Sequence, residues 1–553
     1  MPAIELSLDR LNKLLGKTCT IEDLELDLQW ISLDLDEVME DKLKVEYNPN
    51  RPDFSSPEGI ARALKGYYGQ ETGLSEFPLG ESDYIINVSE EVEQVRPYIA
   101  TAIVRGIDLD EEQVATLMNV QEDLHWAVGR GRKKVAIGVH DLDKITPPFR
   151  YTAVAPDAVK FEPLQMPGEP MTPAQILVEH PKGKDYAHIL KDAEVYPMIF
   201  DANDNVISFP PIINGTLTMV TGSTKNLFID MTGTDLKAVN FALNVLCTML
   251  ADMGCHVETC TNVYPSGPAV TPDFSPKEWT VDEAFVNSYL GLELSEQQMI
   301  ECLEKERLGA TASNEPGKLD VLVPCYRNDL MHPVDFTEEV AIGYGYNNLP
   351  TTLVSSSAAG QYHPKMLAQA RVRKIMIGLG FQEVVNFILS NQEKSFTFTR
   401  RKWNDGVTIK NPVSKEYDTV RQDLLSGLLQ TLQDNKHEAI PIDIFEVGDV
   451  IILDENEETG AKRDVHVACV AYDKAAEYTQ ARAVLDTFMA MFGIQEFSVQ
   501  AASNPFGLDG RTADVFVDDK RVGTIGEIHP EILVNFELEQ PVAFIELNLE
   551  LVS

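Results

Sequence analysis

Four carboxylates near residue 330 offer the sharpest chemistry in this sequence. Asp329 follows a predicted strand, DVLVPCYRND, and Asp335, Glu338 and Glu339 lie in the first turns of a predicted helix, DFTEEVAIGYGY. At 100° per residue the last three share one helix face, so we expect them to converge on solvent beside Asp329. Four oxygen donors suit Mg²⁺. Acidic residues are also favoured at any helix N-terminus, so the pattern alone leaves a purely structural role open.

A second polar group lies between two apolar runs, in FPPIINGTLTMVTGSTKNLFIDMTGTD. Its amide, carboxylate and hydroxyl side chains could line a pocket at strand ends. They are Asn214, Asn226, Asp230, Thr232, Thr234 and Asp235. Such residues also stabilise ordinary turns, and on pattern alone turn chemistry is the favoured interpretation.

Basic residues and cysteines give weaker signals. Residues 130–134 (RGRKK) and 400–402 (RRK) are candidate phosphate contacts, although solvated charge is commoner. Cys247, Cys255 and Cys260 with His256 lack metal-binding CxxC spacing, so packed thiols are favoured over zinc. Seven cysteines, an odd number, fit a reduced cytoplasm better than a disulfide framework.

The elements that must position these groups indicate an α+β multidomain chain. A length of 553 residues suggests three or four domains at about 150 residues each. We expect an N-terminal α+β module over 1–85, an α+β domain over 90–265, a small winged-helix-like module over 270–350 and a second α+β domain over 360–553. The Gly- and Ser-containing segment 73–83 is predicted to be a linker.

The composition and the missing motifs exclude several classes of function. The 46 Lys and Arg against 87 Asp and Glu leave a net charge of −41, which argues against a broad basic surface for nucleic acid or membrane. The N-terminus lacks the pattern of a signal peptide, and the apolar runs are too short to cross a bilayer. P-loop, nucleophile-elbow and zinc-protease motifs are missing from the sequence. A soluble cytoplasmic protein is therefore expected.

Several long segments, in order, resemble the β subunit of phenylalanine-tRNA ligase in its archaeal and eukaryotic-type form. These segments are NPNRPD with GIARAL, FPPIIN with TKNLFIDMTGTD, VPCYRNDLMHPVDFTEEVAIGYGYNNLP, NPVSKEYDTVRQDLLSGLL, FEVGDV and GTIGEIHPEI. The resemblance runs essentially end to end. It implies an α2β2 enzyme that uses ATP to join phenylalanine to its tRNA, with the aminoacylation site, and hence ATP and phenylalanine, on the α subunit.

The resemblance also assigns roles within this chain. It implies that residues 360–553 form a class II synthetase-like antiparallel-sheet domain without catalysis, in agreement with the absence of a G-x-G-x-G-x-x-R segment beside Arg421 and Glu446. It implies Mg²⁺ at Asp329, Asp335, Glu338 and Glu339. It further implies that the 90–265 domain edits tRNA by hydrolysing mistakenly attached tyrosine.

The roles of individual editing residues are a hypothesis in which two roles stay open. Asp235, with Asn214 and Asn226 nearby, is expected to contact the tyrosyl hydroxyl or to position the hydrolytic water. Two alternatives remain open from the sequence. One is a complete class II ligase in a single chain, and the other is a non-catalytic nucleic-acid-binding scaffold.

Overall fold

The computed structural model describes residues 2–39, 42–353, 358–403 and 406–552. Its contacts divide the chain into two compact units, Met1–Thr352 and Leu353–Ser553. Within the described ranges, no helix is both long and apolar enough to span a membrane. The α+β class with several separate sheets is confirmed, while the four boundaries inside it stay predictions.

The N-terminal part of the first unit packs three helices on a small antiparallel sheet of order β1-β3-β2. Its elements are β1 (Ala3–Ser7), α1 (Leu8–Leu15), α2 (Ile21–Trp30), β2 (Asp34–Val38), β3 (Lys42–Glu46) and α3 (Pro57–Tyr67). Ser7 caps α1 and Gly16 ends it in the left-handed region, as the sequence predicts. Ser56 caps α3, with Pro57 at its first position.

The central part is built on an eleven-stranded sheet whose main path is β11-β10-β9-β8-β5-β13-β6-β12-β7, with β4 and β14 both paired to β13. Its strands are β4 (Leu79–Gly80), β5 (Ile85–Val88), β6 (Tyr98–Arg105), β7 (Val135–Asp141), β8 (Phe149–Val154), β9 (Tyr196–Phe200), β10 (Val206–Phe209), β11 (Ile213–Asn214), β12 (Asn226–Gly233), β13 (His256–Tyr264) and β14 (Gly267–Thr271). Its helices are α4 (Glu111–Ala127), α5 (Pro173–Glu179), α6 (Pro181–Tyr186) and α7 (Leu236–Asp252).

Helix α7 buries Val239, Leu243, Leu246 and Leu250 and packs with α4 on strands β6, β7 and β12. The segment predicted to be a linker is partly structured, because β4 pairs in parallel with β13. Strand β14 likewise continues this sheet past residue 265. Both extensions satisfy backbone groups at the β13 edge that a free linker would leave unpaired.

The last part of the first unit places three helices on the antiparallel sheet β15-β17-β16. Its elements are β15 (Lys277–Asp282), α8 (Glu283–Leu290), α9 (Glu296–Lys305), β16 (Gly309–Ala312), β17 (Lys318–Val323) and α10 (Pro333–Tyr344). Val286, Leu303, Val321, Phe336 and Val340 are buried in its core. The winged-helix-like module expected over 270–350 stays a prediction.

The second unit is organised by a seven-stranded sheet of order β18-β21-β22-β26-β25-β24-β23, antiparallel except for the β18–β21 pair. Its strands are β18 (Gln382–Glu383), β19 (Leu389–Ser390), β20 (Thr419–Val420), β21 (Ile442–Leu453), β22 (Ala461–Tyr472), β23 (Ser498–Ala501), β24 (Gly507–Val517), β25 (Lys520–Ile528) and β26 (Val542–Asn548). Its helices are α11 (Pro364–Gly378), α12 (Leu425–Asp434), α13 (Tyr478–Phe492) and α14 (Pro530–Asn535). The antiparallel sheet expected here is confirmed.

Candidate functional site

A buried aspartate and histidine lie at a small cavity in the central sheet. Nε2 of His140 is 2.7 Å from Oδ2 of Asp230, and Nδ1 of His140 is 2.8 Å from Oγ1 of Thr218. Both side chains are almost completely buried, yet Asp230 lines the cavity. Its other oxygen, Oδ1, accepts no hydrogen bond from the part of the chain that the structure describes. This oxygen is therefore available to a ligand in the cavity.

The pairing of β7 with β12 brings these side chains together. The antiparallel register sets Asp230 opposite Gly138, and Phe228 opposite His140. A Cβ atom at Gly138 would lie 1.9 Å from Oδ2 of Asp230 and 2.5 Å from Nε2 of His140. The Asp230–His140 contact thus depends on the absence of a side chain at position 138.

The cavity has a volume of about 210 Å³ and mixed walls. Polar and charged side chains on its lining are Gln121, Glu122, Arg132, Gln165, Lys182, Ser208, Asn214, Thr218, Asp230 and Thr232. Ser208 donates to Oδ1 of Asn214 at 3.0 Å, across the β10–β11 turn. Apolar surface comes from Met118, Ile137 and Val139, among others. A small space with a few convergent polar groups is typical of a ligand site.

Two buried arginines, Arg96 and Arg132, and a neutral histidine, His125, hold the strands and loops that form the cavity. Arg96 donates to the hydroxyl and the carbonyl of Thr232 at 3.0 and 2.7 Å, and burial lowers its pKa to about 10. Nε2 of His125 accepts the amide of Ile137 at 2.8 Å. Burial lowers the pKa of His125 to about 4, so this ring is neutral near pH 7. Arg132 pairs with Glu122 at 2.7 Å and donates to the carbonyl of Ile212 at 3.1 Å.

The three predicted editing residues do not lie together. Asn214 lines the cavity. Asn226 lies at the start of β12 and donates to Asp143 at 2.9 Å. Asp235 caps α7, accepting the amide of Ala238 at 2.9 Å, and pairs with Lys134 at 3.1 Å. Asn226 and Asp235 are absent from the cavity lining, because the Asn226 side chain is held by Asp143 and the Asp235 side chain caps α7.

Sequence reasoning included Asp230 in the polar group but missed its partner His140. Val135, Ile137 and Val139 alternate in the apolar pattern of a strand, but they mark the face of β7 opposite to His140. The available signal was a lone histidine two residues after a glycine in an otherwise apolar strand. Pairing with Asp230 depends on strand register, which single-sequence patterns do not specify.

The four carboxylates near residue 330 are arranged differently from the prediction. Arg327 is 1% exposed and binds two of them: Asp329 at 2.6 and 2.8 Å, and Glu339 at 2.7 and 3.1 Å. Glu339 therefore faces the protein interior instead of solvent. Burial alone would raise the pKa of Asp329, but the charge of Arg327 holds it below its usual value.

The other two carboxylates have separate partners. Asp335 accepts the amides of Met331 and His332, each at 2.7 Å, and so closes the N-terminus of α10. Glu338 accepts a hydrogen bond from the Tyr346 hydroxyl. Over the described ranges, no group of three or more His, Cys, Asp or Glu side chains is placed to hold a metal ion. In this arrangement Asp329 and Glu339 bind Arg327, and Asp335 caps α10. The magnesium site therefore stays a prediction.

The remaining sequence candidates have local roles. Cys247, Cys255 and Cys260 are buried among apolar residues, and burial raises the pKa of each thiol. Arg400 pairs with Glu531 at 2.9 Å, and Arg401 pairs with Asp423.

In the second unit, Arg421 binds the carboxylate of Glu446 at 2.6 Å and the carbonyl of Asp449 at 2.8 Å. Asn386 donates to the same Glu446 carboxylate at 2.8 Å. The Arg421 guanidinium is 6% exposed and committed to these contacts. It therefore holds strand β21 to its neighbours.

Comparisons with known proteins define the class first. Two domain families found in aminoacyl-tRNA synthetases match this chain: the "tRNA synthetase B5 domain" over 279–346 and the "Phenylalanyl tRNA synthetase beta chain CLM domain" over 349–549. The chain is thus a synthetase subunit.

Full-length relatives give the particular family. The chain is 43% identical to the phenylalanine–tRNA ligase β subunit of Methanospirillum hungatei, over 100% of this chain and 98% of the relative. It is 42% identical to that of Methanosarcina barkeri, over 99% of both. A crystal structure of an N-terminal fragment of the Pyrococcus horikoshii β subunit covers 62% of this chain at 39% identity, with a TM-score of 0.60. The chain belongs to the family of phenylalanine–tRNA ligase β subunits, and the scaffold alternative is not supported.

Proposed function

We propose that the central cavity hydrolyses tyrosine that has been attached by mistake to the tRNA for phenylalanine. An aromatic pocket built for phenylalanine rejects an added hydroxyl only weakly, by about 100-fold, so the ligase needs a second check. A site that hydrogen-bonds the phenol can reject phenylalanine far more strongly, by about 10⁴-fold or more, because its polar group would otherwise be left unpaired.

The observation that supports this proposal is the free Oδ1 of Asp230 at the cavity. Its carboxylate is held by His140 at 2.7 Å, which leaves one oxygen to accept the tyrosyl hydroxyl. The ester is already activated, so a positioned water can attack without a side-chain nucleophile. Asn214, which lines the same cavity, remains our candidate for orienting that water or the substrate.

The test is deacylation of preformed tyrosyl-tRNA by the assembled enzyme. Asp230→Ala should lower the hydrolysis rate by at least about 100-fold, in the range found when one essential polar group is removed from a site. Asp230→Asn, which preserves shape, should also be impaired. Asp235→Ala is the matched control, because Asp235 lies in a helix cap. Equal rates for Asp230→Ala and wild type, with phenylalanylation intact, would remove the cavity from editing.

We further propose that this chain works as the β half of an α2β2 enzyme in the cytoplasm, where the α subunit binds ATP and phenylalanine. Exposed apolar side chains in the second unit, including Tyr362, Val385 and Phe387, support a docking surface there. Phe387→Asp should block co-purification with the α subunit, whereas Val178→Asp, at an exposed site in the first unit, should not. Normal assembly of Phe387→Asp would exclude Phe387 from the interface.

The magnesium proposal concerns Asp329, Asp335, Glu338 and Glu339 in the assembled enzyme. Its support is the family and the oxygen-rich donor set, and no step of the editing proposal depends on it. Calorimetric titration of Mg²⁺ should lose one class of sites in Glu338→Ala/Glu339→Ala. Full retention of binding would contradict this assignment.

A further inference from the structure

One face of α4 leads from the cavity to an exposed tryptophan. Met118, Glu122 and Trp126 are four residues apart and therefore lie along the same side of the helix. Met118 and Glu122 line the cavity, and Trp126 lies one turn beyond them. The Trp126 side chain is 58% exposed, and Met118 is 41% exposed. The exposed Trp126 side chain thus lies on the helix face that reaches the cavity, one turn beyond Glu122.

The basic segment 130–134 follows closely after α4. Two of its four cations form ion pairs within the part of the chain that the structure describes, and two do not. Arg132 and Lys134 are committed to Glu122 and Asp235. Arg130 and Lys133 are exposed, and neither forms an ion pair within the described ranges. The loop is held by hydrogen bonds from Gly131 to the His125 carbonyl at 2.9 Å and from Lys134 to the Gly129 carbonyl at 2.8 Å.

Arg130 and Lys133 follow an exposed indole closely along a chain whose net charge is −41. Acidic side chains outnumber basic ones almost twofold, yet none neutralises Arg130 or Lys133 within the described ranges. An aromatic platform flanked by cations matches single-stranded nucleic acid, whose bases stack while its phosphates meet positive charge.

We infer that Trp126, Arg130 and Lys133 bind the single-stranded 3′ end of the tRNA as it enters the cavity. The inference rests on the proposed editing function and names the surface through which that function takes its substrate. Trp126 would stack on one base, and Arg130 and Lys133 would contact the phosphates beside it. Arg132, being buried and paired, would shape the cavity wall instead of binding the backbone.

Deacylation kinetics of the assembled enzyme test this surface. Trp126→Ala should raise the tyrosyl-tRNA concentration for half-maximal hydrolysis by about 5- to 100-fold, with the saturating rate constant unchanged. Arg130→Ala/Lys133→Ala should weaken binding and flatten the log–log salt dependence by about 1.4, the value for two lost single-strand phosphate contacts. Phenylalanylation should remain normal, because there the 3′ end enters the α subunit.

Matched controls separate this surface from general effects of charge and aromatic loss. Tyr289→Ala removes an exposed ring elsewhere in the first unit, and Lys415→Ala/Lys474→Ala removes two exposed cations from the second. Neither control should change the half-saturation concentration. Unchanged half-saturation in both Trp126→Ala and Arg130→Ala/Lys133→Ala would overturn the inference.

Photocrosslinking distinguishes failure of this inference from failure of the editing proposal, because it needs no hydrolysis. A tRNA carrying a photoreactive thiouridine in its 3′ single strand should form an adduct within residues 118–134, and Trp126→Ala should reduce its yield. Adducts confined to other segments of this chain would overturn the inference even if hydrolysis is normal. The expected adduct in an enzyme that does not hydrolyse tyrosyl-tRNA would sustain the binding surface and refute editing.

Discussion

Gly138 shows how one residue's lack of a side chain determines the cavity. Because Gly138 carries only a hydrogen atom there, the Asp230 and His140 side chains have room to meet. A methyl group at this position would overlap both of them. Asp230 and His140 are themselves nearly inaccessible, so the geometry between them cannot relax toward solvent. The cavity is therefore sensitive to changes of single atoms.

We expect Gly138→Ala to lower tyrosyl-tRNA hydrolysis by about 10- to 100-fold, because the displaced carboxylate no longer meets its substrate correctly. Overpacking should also cost about 1–3 kcal/mol of stability. Single-turnover deacylation and thermal unfolding measure the two effects. Gly222→Ala is the control, since nothing lies within 4 Å of its added Cβ. Full activity in Gly138→Ala would show that the contact is dispensable.

His125 makes the central sheet sensitive to acid. Its pKa falls from 6.5 to about 4 on folding, so between these pH values the unfolded chain binds a proton that the folded chain does not. Stability therefore decreases as the pH falls through this window, by about 2 kcal/mol between pH 7 and pH 5. The measurement is hydrogen exchange of the β7 amides, corrected for the intrinsic pH dependence of exchange.

His125→Gln retains an acceptor for the Ile137 amide but does not titrate, so its β7 amides should lose about 2 kcal/mol less protection over the same range. His437→Gln, at an exposed histidine of the second unit, should behave as wild type. Identical pH dependence in wild type and His125→Gln would contradict the assignment of a buried neutral ring.

At the scale of elements, the 277–344 module is held by a buried ion cluster. Arg327 lies in the loop between β17 and α10 and connects Asp329 of that loop to Glu339 of the helix. Removing the cation would leave the buried Glu339 carboxylate without its arginine and Asp329 with only the charge of Arg51 nearby, and breaking such a buried pair costs about 3–5 kcal/mol. The loop and α10 should therefore unfold together when Arg327 is lost.

Arg327→Met should reduce the free energy of unfolding of this module by about 3–5 kcal/mol, measured by denaturant melts and by exchange of the α10 amides. Neutralising the partners as well, in Arg327→Met/Asp329→Asn/Glu339→Gln, should restore part of the loss. Lys318→Met breaks only a solvent-exposed pair with Glu315 and should cost under about 1 kcal/mol. An Arg327→Met protein as stable as wild type would show that the cluster contributes nothing.

Local elements were predictable where a local signal exists. A serine cap and a terminal glycine mark α1, apolar periodicity marks α7, and the apolar residues 227–229 mark the start of β12. Sites formed by long-range pairing were not. His140 meets Asp230 only through strand register, and Arg327 draws Glu339 inward against the amphipathic pattern of α10. Neither contact is encoded in residue spacing.

At the scale of the whole molecule, the net charge of −41 acquires a specific meaning. Taken alone it argues against nucleic acid, yet the chain belongs to a family of tRNA ligase subunits. Much of its positive charge is paired: Arg10, Arg62, Arg132, Arg327 and Arg421 all bind carboxylates. Contact with tRNA should therefore be confined to small unpaired patches.

The most direct test of the account compares hydrolysis of tyrosyl-tRNA and phenylalanyl-tRNA by the assembled enzyme in single-turnover experiments. If Asp230 recognises the phenolic hydroxyl, wild type should hydrolyse the tyrosyl ester faster by about 10⁴-fold or more, the discrimination typical of sites built to bond a hydroxyl. Asp230→Ala should lose most of that preference, while Asp235→Ala retains it. Equal hydrolysis of the two esters by wild type, or full preference in Asp230→Ala, would contradict the proposed role of the cavity.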